Sequence, residues 1–303
     1  MSADKTKIFV PPLKIQGIKT KLVPLIKANV ILYPDTVWIE PFMGSGVVGF
    51  NIAPEKAIFA DTNPYIIDFY NQIKTGQITS CKVRTFLEEE GRKLAKQNDD
   101  YYYIVRDRFN KQHDPLDFLF LNRCCFNGMI RFNKNHDFNV PYGHKPQRFS
   151  KAYITKIVNQ VKYIEDMLKI RDWTFVCQPF TKTIEAATAT SFIYCDPPYI
   201  GRHVDYYDSW DEECELSLCK ALKKSNAKFM LSTWDHNDFR YNKYIDIIWN
   251  FCTKITKEHF YHIGGKESNR NPMVEALLIN YQPPERKALL SYEFEQMQLQ
   301  LPI

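Results

Sequence analysis

Val37-Trp38-Ile39-Glu40-Pro41-Phe42-Met43-Gly44-Ser45-Gly46-Val47-Val48-Gly49-Phe50 is the stretch that decides the fold. Its first four residues are an apolar, β-prone run ending at a carboxylate. Pro41 stops the strand, and two closely spaced glycines lead into a second apolar run that suits the start of a helix. Strand, glycine turn and helix in that order open a nucleotide-binding unit of an α/β protein, because glycine lets backbone approach a ligand where a Cβ would obstruct it. A second strand is predicted over 57–60 and closes at Asp61, where an acidic residue in such folds accepts from a ribose diol. The spacing Gly44-x-Gly46-x-x-Gly49 also fits the dinucleotide fingerprint, so a nicotinamide-dependent oxidoreductase stays open here, as does a tight turn with no ligand. No Lys-Ser/Thr pair follows the loop, which disfavours triphosphate chemistry.

The α/β rhythm returns late in the chain, with strands predicted over 173–177, 192–195 and 228–232. Runs at 257–263 and 274–281 flank Gly264-Gly265-Lys266 and suit an antiparallel hairpin at the sheet edge. The middle reads differently. Helical patterns over 65–73, 82–97 and 116–121 are followed by a polar hairpin over 132–142, turning near Asn135-His136-Asp137. The expected organisation is one α/β domain from 1–64 and 166–303, interrupted by a mainly helical insertion over 65–165.

A second motif sits at the end of a predicted buried strand: Ile193-Tyr194-Cys195-Asp196-Pro197-Pro198-Tyr199. Open α/β sheets place ligands at the carboxyl ends of their strands. There Asp196 offers an acceptor, Pro197 and Pro198 stiffen the backbone and fix their carbonyls, and Tyr199 adds a flat face. That combination suits the exocyclic amine of a nucleobase, which presents two N–H donors and a π surface. A plain Pro-Pro turn would use the same residues. Cys195 is not read as a nucleophile: strand alternation points it away from the Asp196 face, and no His is near in sequence.

Composition bounds the rest. At 303 residues, 45% hydrophobic and 25% charged, the chain is an ordinary globular one, with no apolar run near the roughly 18 residues a membrane span needs. The opening Met1-Ser2-Ala3-Asp4-Lys5 lacks the apolar core of a secretory signal, so a cytoplasmic location of bacterial or viral type is expected. Eight scattered cysteines form no Cys-x-x-Cys pair, and neither a disulfide framework nor a metal site is expected. The net charge of +5 permits nucleic acid without requiring it. Its distribution says more: over 123–151, Arg123, Arg131, Lys134, Lys145, Arg148 and Lys151 face one acid, Asp137, with Phe126, Phe132, Phe138, Tyr142 and Phe149 interleaved. Cations for phosphates among rings for bases suit a nucleic-acid surface; a solvated loop whose rings pack inward would look the same.

Taken in order, Glu40-Pro41-Phe42-x-Gly44-x-Gly46, Asp61-x-Asn63, Leu121-Asn122-Arg123-x-x-Phe126-Asn127-Gly128-x-x-Arg131, Phe138-Asn139-Val140-Pro141-Tyr142-Gly143, Asp196-Pro197-Pro198-Tyr199 and Glu275-Ala276-Leu277-Leu278-Ile279-Asn280-Tyr281 resemble the Dam-like, alpha-group N6-adenine DNA methyltransferases. The resemblance runs from about residue 13 to 281. It implies a Rossmann-like, S-adenosylmethionine-dependent methyltransferase sheet with an inserted, mainly helical DNA target-recognition domain bearing a β-hairpin. It also implies methyl transfer to N6 of an adenine flipped out of duplex DNA, with a cognate restriction endonuclease as a candidate partner and no metal.

Carried over residue by residue, Lys19, Glu40, Phe42, Gly44, Gly46, Asp61, Phe180 and Asp196 would hold the methyl donor. Asp196, Pro197, Pro198 and Tyr199 would hold the adenine. Arg123, Phe126, Asn127, Met129, Arg131, Pro141 and His144 would meet DNA, with Arg131 reading a base and Phe126 and Asn127 bordering the flipped nucleotide. This chain departs from the family at Ile15 and Ile18, where members often carry Trp and Gly, at Pro179, where many have Asp, and at His144, where several have Arg. Alternatives are an N4-cytosine or RNA amino-methyltransferase, and an inactive or accessory DNA-binding protein on the same fold. Cytosine-N4 enzymes more often carry Ser where this chain has Asp196.

Overall fold

The computed structural model describes residues 7–97, 99–200, 210–260 and 272–284. Seven strands make one sheet: β1 Val37–Glu40, β2 Lys56–Asp61, β3 Asp172–Cys177, β4 Ser191–Cys195, β5 Lys228–Asn237, β6 Thr253–Phe260 and β7 Pro272–Ile279. Their order is β3-β2-β1-β4-β5-β7-β6, with β7 antiparallel to both neighbours and the other pairs parallel. The predicted late hairpin is therefore present, while its Gly264-Gly265-Lys266 turn lies outside the described residues. Strand order reverses between β1 and β4, and a doubly wound sheet opens a crevice at that point, outside the carboxyl ends.

Ten helices are described: α1 Val23–Lys27, α2 Val47–Ile52, α3 Pro64–Lys74, α4 Ser80–Gln97, α5 Asp99–Gln112, α6 Pro115–Cys124, α7 Lys151–Ile170, α8 Phe180–Glu185, α9 Glu212–Ser225 and α10 Lys243–Ile248. The period-2 alternation of buried strands splits the core in two. Trp38, Phe59, Phe192 and Tyr194 face α2, α3, α7 and the insertion, whereas Ile39, Ile193, Cys195, Phe229 and Leu231 face α9 and α10. Cys195 thus points away from the Tyr194 face, as strand alternation requires.

The helices at the two ends of the 65–165 segment both pack on the sheet. Asn63 caps α3 by accepting from the amides of Tyr65 and Ile66, and Pro64 opens its first turn. That helix then lies on the sheet: Asn71 donates to the Phe175 carbonyl, Lys74 to that of Trp173, and Tyr70 to that of Ser45. On α7, Tyr163 donates to the Phe50 carbonyl. A sheet face must be covered, and α3 and α7 are its cover. Positions 64/65 and 165/166 fall inside these helices; between α3 and α7 the chain forms α4, α5 and α6, followed by the hairpin.

A candidate cofactor and base pocket at the sheet switch point

The loop after β1 is fixed before any ligand arrives. Gly44 and Gly46 have φ of 50° and 76°, the left-handed region where glycine is strongly favoured. A Cβ on Gly46 would come within 2.5 Å of the Phe50 ring, and one on Gly49 within 2.2 Å of Phe59 and 2.5 Å of Glu40 Oε2. The third glycine of the fingerprint therefore serves close packing of α2 on β1 and β2. Asp61, at the end of β2, accepts from the Gly44 amide (2.9 Å) and the Asn63 amide (2.9 Å), tying the loop to the second strand. Burial raises its carboxyl above the ordinary aspartate value, against the pull of those amides.

Lys19, Glu40, Phe42, Gly44, Asp61, Asp196 and Pro198 line one cavity of about 130 Å³. Gly46 shapes it from the head of α2 without lining it. Phe180 also stands off the wall; it stacks on Phe42 at 5.3 Å, with Trp210 edge-on to Phe42 at 5.4 Å, so an aromatic shelf extends from the cavity. A larger hollow, about 310 Å³, opens at the amino ends of β1 and β4. Asp35 and Lys228 are its only charged lining residues, and it sits at the wrong edge for an α/β ligand site.

Three acids converge on the smaller cavity. Glu40 is buried, and its Oε2 accepts from Trp38 Nε1 (3.0 Å) and the Gly49 amide (3.1 Å). Burial pushes its carboxyl up to about 8, with Asp196 and Asp61 adding to the rise. Asp196 pairs with Lys19 at 2.9 Å, and Lys19 also donates to the Gly17 carbonyl at 3.0 Å. Burial alone would discharge Lys19, but the Asp196 carboxylate reverses that and holds the ammonium charged. Lys19 Nζ lies 5.0 Å from the centre of the Tyr199 ring. Tyr194, two residues before Asp196 on the same strand face, also lines the cavity and hydrogen-bonds Ser232 at 2.8 Å. Tyr194, Gln16 and Thr62 escape the sequence reading, although strand alternation from Asp196 could have found Tyr194.

A family model for the D12 class of N6 adenine-specific DNA methyltransferases matches residues 16–263. The chain belongs to that family. Among its relatives, the DNA adenine methylase of Haemophilus influenzae is 38% identical over 169 residues, 53% of this chain and 54% of that protein. That of Serratia marcescens is 35% identical over 193 residues, 62% of this chain and 66% of that protein. Type II methyltransferase M.MjaIII of Methanocaldococcus jannaschii is 29% identical over 298 residues, 89% of this chain and 99% of that protein. The chain thus spans about half to two-thirds of the length of the two DNA adenine methylases, and nearly all of M.MjaIII.

The sequence-predicted DNA contacts of this D12-class chain divide by exposure. Phe126 is 50% exposed and Asn127 is exposed with φ 53°, both presented by the turn after α6. Pro141 is exposed, and its carbonyl accepts from the Phe126 amide, so the hairpin braces that turn. Arg131 is half-buried, with Nε donating to Asn139 Oδ1 at 2.9 Å; Met129 packs partly on the core; His144 is exposed, 3.2 Å from Asp99.

Arg123 stands apart from these. It is buried, and its guanidinium donates to the Pro12 carbonyl at 3.0 Å, which makes it a tie between α6 and the amino-terminal segment. Most of the interleaved rings do as well. Phe138, Tyr142 and Phe149 are buried and Phe132 stacks on Tyr65 at 4.9 Å, leaving only Phe126 exposed, because a hairpin this polar at its turn is held down by its aromatics. The turn itself matches the prediction, with Asn133 Oδ1 accepting from the amides of Asn135 and Asp137. Among the described residues no helix is long and apolar enough to cross a membrane, and no group of three or more His, Cys, Asp or Glu side chains could hold a metal.

Proposed function

We propose that this protein transfers a methyl group from S-adenosylmethionine to N6 of an adenine flipped out of duplex DNA. The observation that carries this reading is the Lys19–Asp196 pair at the carboxyl end of β4, opening onto a cavity whose other acids are Glu40 and Asp61. The donor set suits the cofactor: a sulfonium and an ammonium call for carboxylates, a ribose diol for an acceptor such as Asp61, and a purine for the Phe42–Phe180 shelf. When bound, S-adenosylmethionine would supply an electrophilic methyl carbon on a sulfonium, and the proton that N6 must lose on methylation would pass to the Asp196 carboxylate.

The chain's own residues prepare the nitrogen. Adenine N6 is a weak nucleophile because its lone pair is delocalised into the ring. Asp196 and the Pro197 carbonyl accept the two N6–H donors, which turns the lone pair toward the methyl group and stabilises positive charge as it develops. Tyr199 stacks on the extruded base. Pro197 and Pro198 keep the acceptors rigid, so little reorganisation is needed at the moment of transfer. Phe126 and Asn127, exposed on the turn after α6, fill the vacated stack, and Arg131 offers a guanidinium to guanine acceptors in the major groove. The Type II name of the M. jannaschii relative accords with a cognate restriction endonuclease as partner.

Incubation with plasmid DNA and S-adenosylmethionine, followed by nucleoside analysis, tests the reading. N6-methyladenine is expected. N4-methylcytosine as the only product, or DNA binding with no methyl transfer, would overturn it.

A further inference from the structure

Glu275 is buried at 2% exposure, and the mechanism above gives it no task. The β-ladder fixes its place. Leu231 of β5 pairs with Cys195 on one side and Leu278 on the other, while Glu275 pairs with Trp234, three residues farther along β5. At about 3.3 Å per residue, Glu275 therefore lies some 10 Å beyond the end of β4, level with the loop that carries Asp196 to Tyr199. Strand parity fixes its face. Leu277 and Ile279 pack in the core that holds Tyr194, and Ala276 and Leu278 in the other, so Glu275 projects on the Lys19 and Asp196 side of the sheet. Its charge is felt there by Lys19, Asp196 and Tyr199 alike.

We propose that Glu275 is the second counter-ion of Lys19, a positioning residue that lets Asp196 exchange the ammonium for the adenine amine. This inference rests on the function proposed above. In the present structure Lys19 holds Asp196 Oδ1 at 2.9 Å. While that ion pair holds, the carboxylate is drawn toward the ammonium and away from N6–H, and withdrawing Asp196 from a buried ammonium would leave an uncompensated charge. A second carboxylate removes that penalty: Lys19 turns toward Glu275 as Asp196 turns toward the base. Among the described residues, Asp196 and Tyr199 from the loop, Tyr194 from β4 and Glu275 from β7 all favour the charged form of Lys19.

The test is E275Q, which keeps the shape and removes the charge, assayed by single-turnover methyl transfer to saturating duplex DNA and S-adenosylmethionine across pH 6 to 10. The rate should fall roughly 10- to 100-fold while both affinities change less than about twofold. The Lys19 ¹⁵Nζ titration should move to lower pH, since the ammonium loses a counter-ion, and E275D should recover part of both effects. An unchanged rate and titration midpoint overturn the proposal, as does an equal loss of both affinities with no movement of the midpoint. If E275Q fails to fold, E275D decides by the same comparison. If the unsubstituted protein transfers no methyl group, the function proposed above falls. The Lys19 ¹⁵Nζ titration then reads the counter-ion directly, and a midpoint that is the same in E275Q overturns the inference.

Discussion

Replacing Glu40 with Gln should make the ligand-free protein more stable, and increasingly so as pH rises. Glu40 is 2% exposed, and burial lifts its carboxyl from 4.5 to about 8. The sign follows from linkage: a group whose folded value is raised contributes stability that is full below its unfolded value and is lost as pH climbs through the folded one. The window is therefore pH 4.5 to 8. Each pH unit in it is worth about 1.4 kcal/mol, and allowing for partial titration near both ends the unsubstituted protein should lose about 3.5 kcal/mol relative to E40Q between pH 5 and 8. Gln retains an acceptor for Trp38 Nε1 and the Gly49 amide, so packing and hydrogen bonding are nearly conserved.

Urea unfolding of both proteins at pH 5, 6, 7 and 8 reads the difference. Parallel curves, with a gap that does not widen with pH, would refute the assignment of a raised carboxyl to Glu40. The same chemistry makes a statement about binding. A cationic ligand in this cavity favours ionised Glu40, so adding S-adenosylmethionine should flatten the pH dependence of the native protein and leave that of E40Q unchanged.

Three other substitutions probe separate parts of the site. G49A sets a Cβ against Phe59 and Glu40 and should lower stability by about 1–3 kcal/mol in urea unfolding; a native midpoint would show that α2 can shift without cost. D196N leaves Lys19 buried without its carboxylate, and should abolish transfer while lowering stability by up to about 3 kcal/mol; measurable turnover would remove Asp196 from the mechanism. R131A should relax preference for one base by about 1–3 kcal/mol in competition binding, whereas a uniform loss across sequences would mark a phosphate contact. R123A, by contrast, should lower the melting temperature and leave sequence preference intact, because its guanidinium serves the Pro12 carbonyl.

Much of the sheet was legible because buried parallel strands read as short apolar runs bounded by turn residues. The first strand is found at its full length, Val37–Glu40, and the strands at 56–61, 172–177 and 191–195 come out within a residue or two. Helices α5 and α7 were not. In α5 the run Tyr101-Tyr102-Tyr103 puts rings on every face, two buried and one partly exposed, which blurs the 3.6-residue period. Exposure was the least legible property of all. Phe126 and Phe138 are the same residue type in the same basic segment, yet one stands in solvent and the other in the core. The difference lies in where α6 ends and how the hairpin folds back on it, which local composition does not encode.

The site was legible to the extent that it is contiguous. Gly44, Gly46 and Asp61 lie within one strand–loop–helix–strand unit, and Asp196 to Tyr199 within another, so each announces itself by spacing. Lys19 and Glu275 stand more than 250 residues apart, and Glu275 reaches the Lys19 side of the active edge only because β7 is inserted antiparallel between β5 and β6, which reverses the direction in which its residues run. Had β7 run parallel, the end of the strand at the carboxyl edge would be Ile279 and Asn280, and β7 would bring no second acid to the Lys19 side of that edge. Buried ion pairs are costly unless both partners are placed well, so this charge network exists only as a consequence of topology. The strand order thus does chemical as well as architectural service, setting the Glu275 carboxylate at the edge and on the face of the sheet that carry Lys19 and Asp196, as the proposed exchange requires.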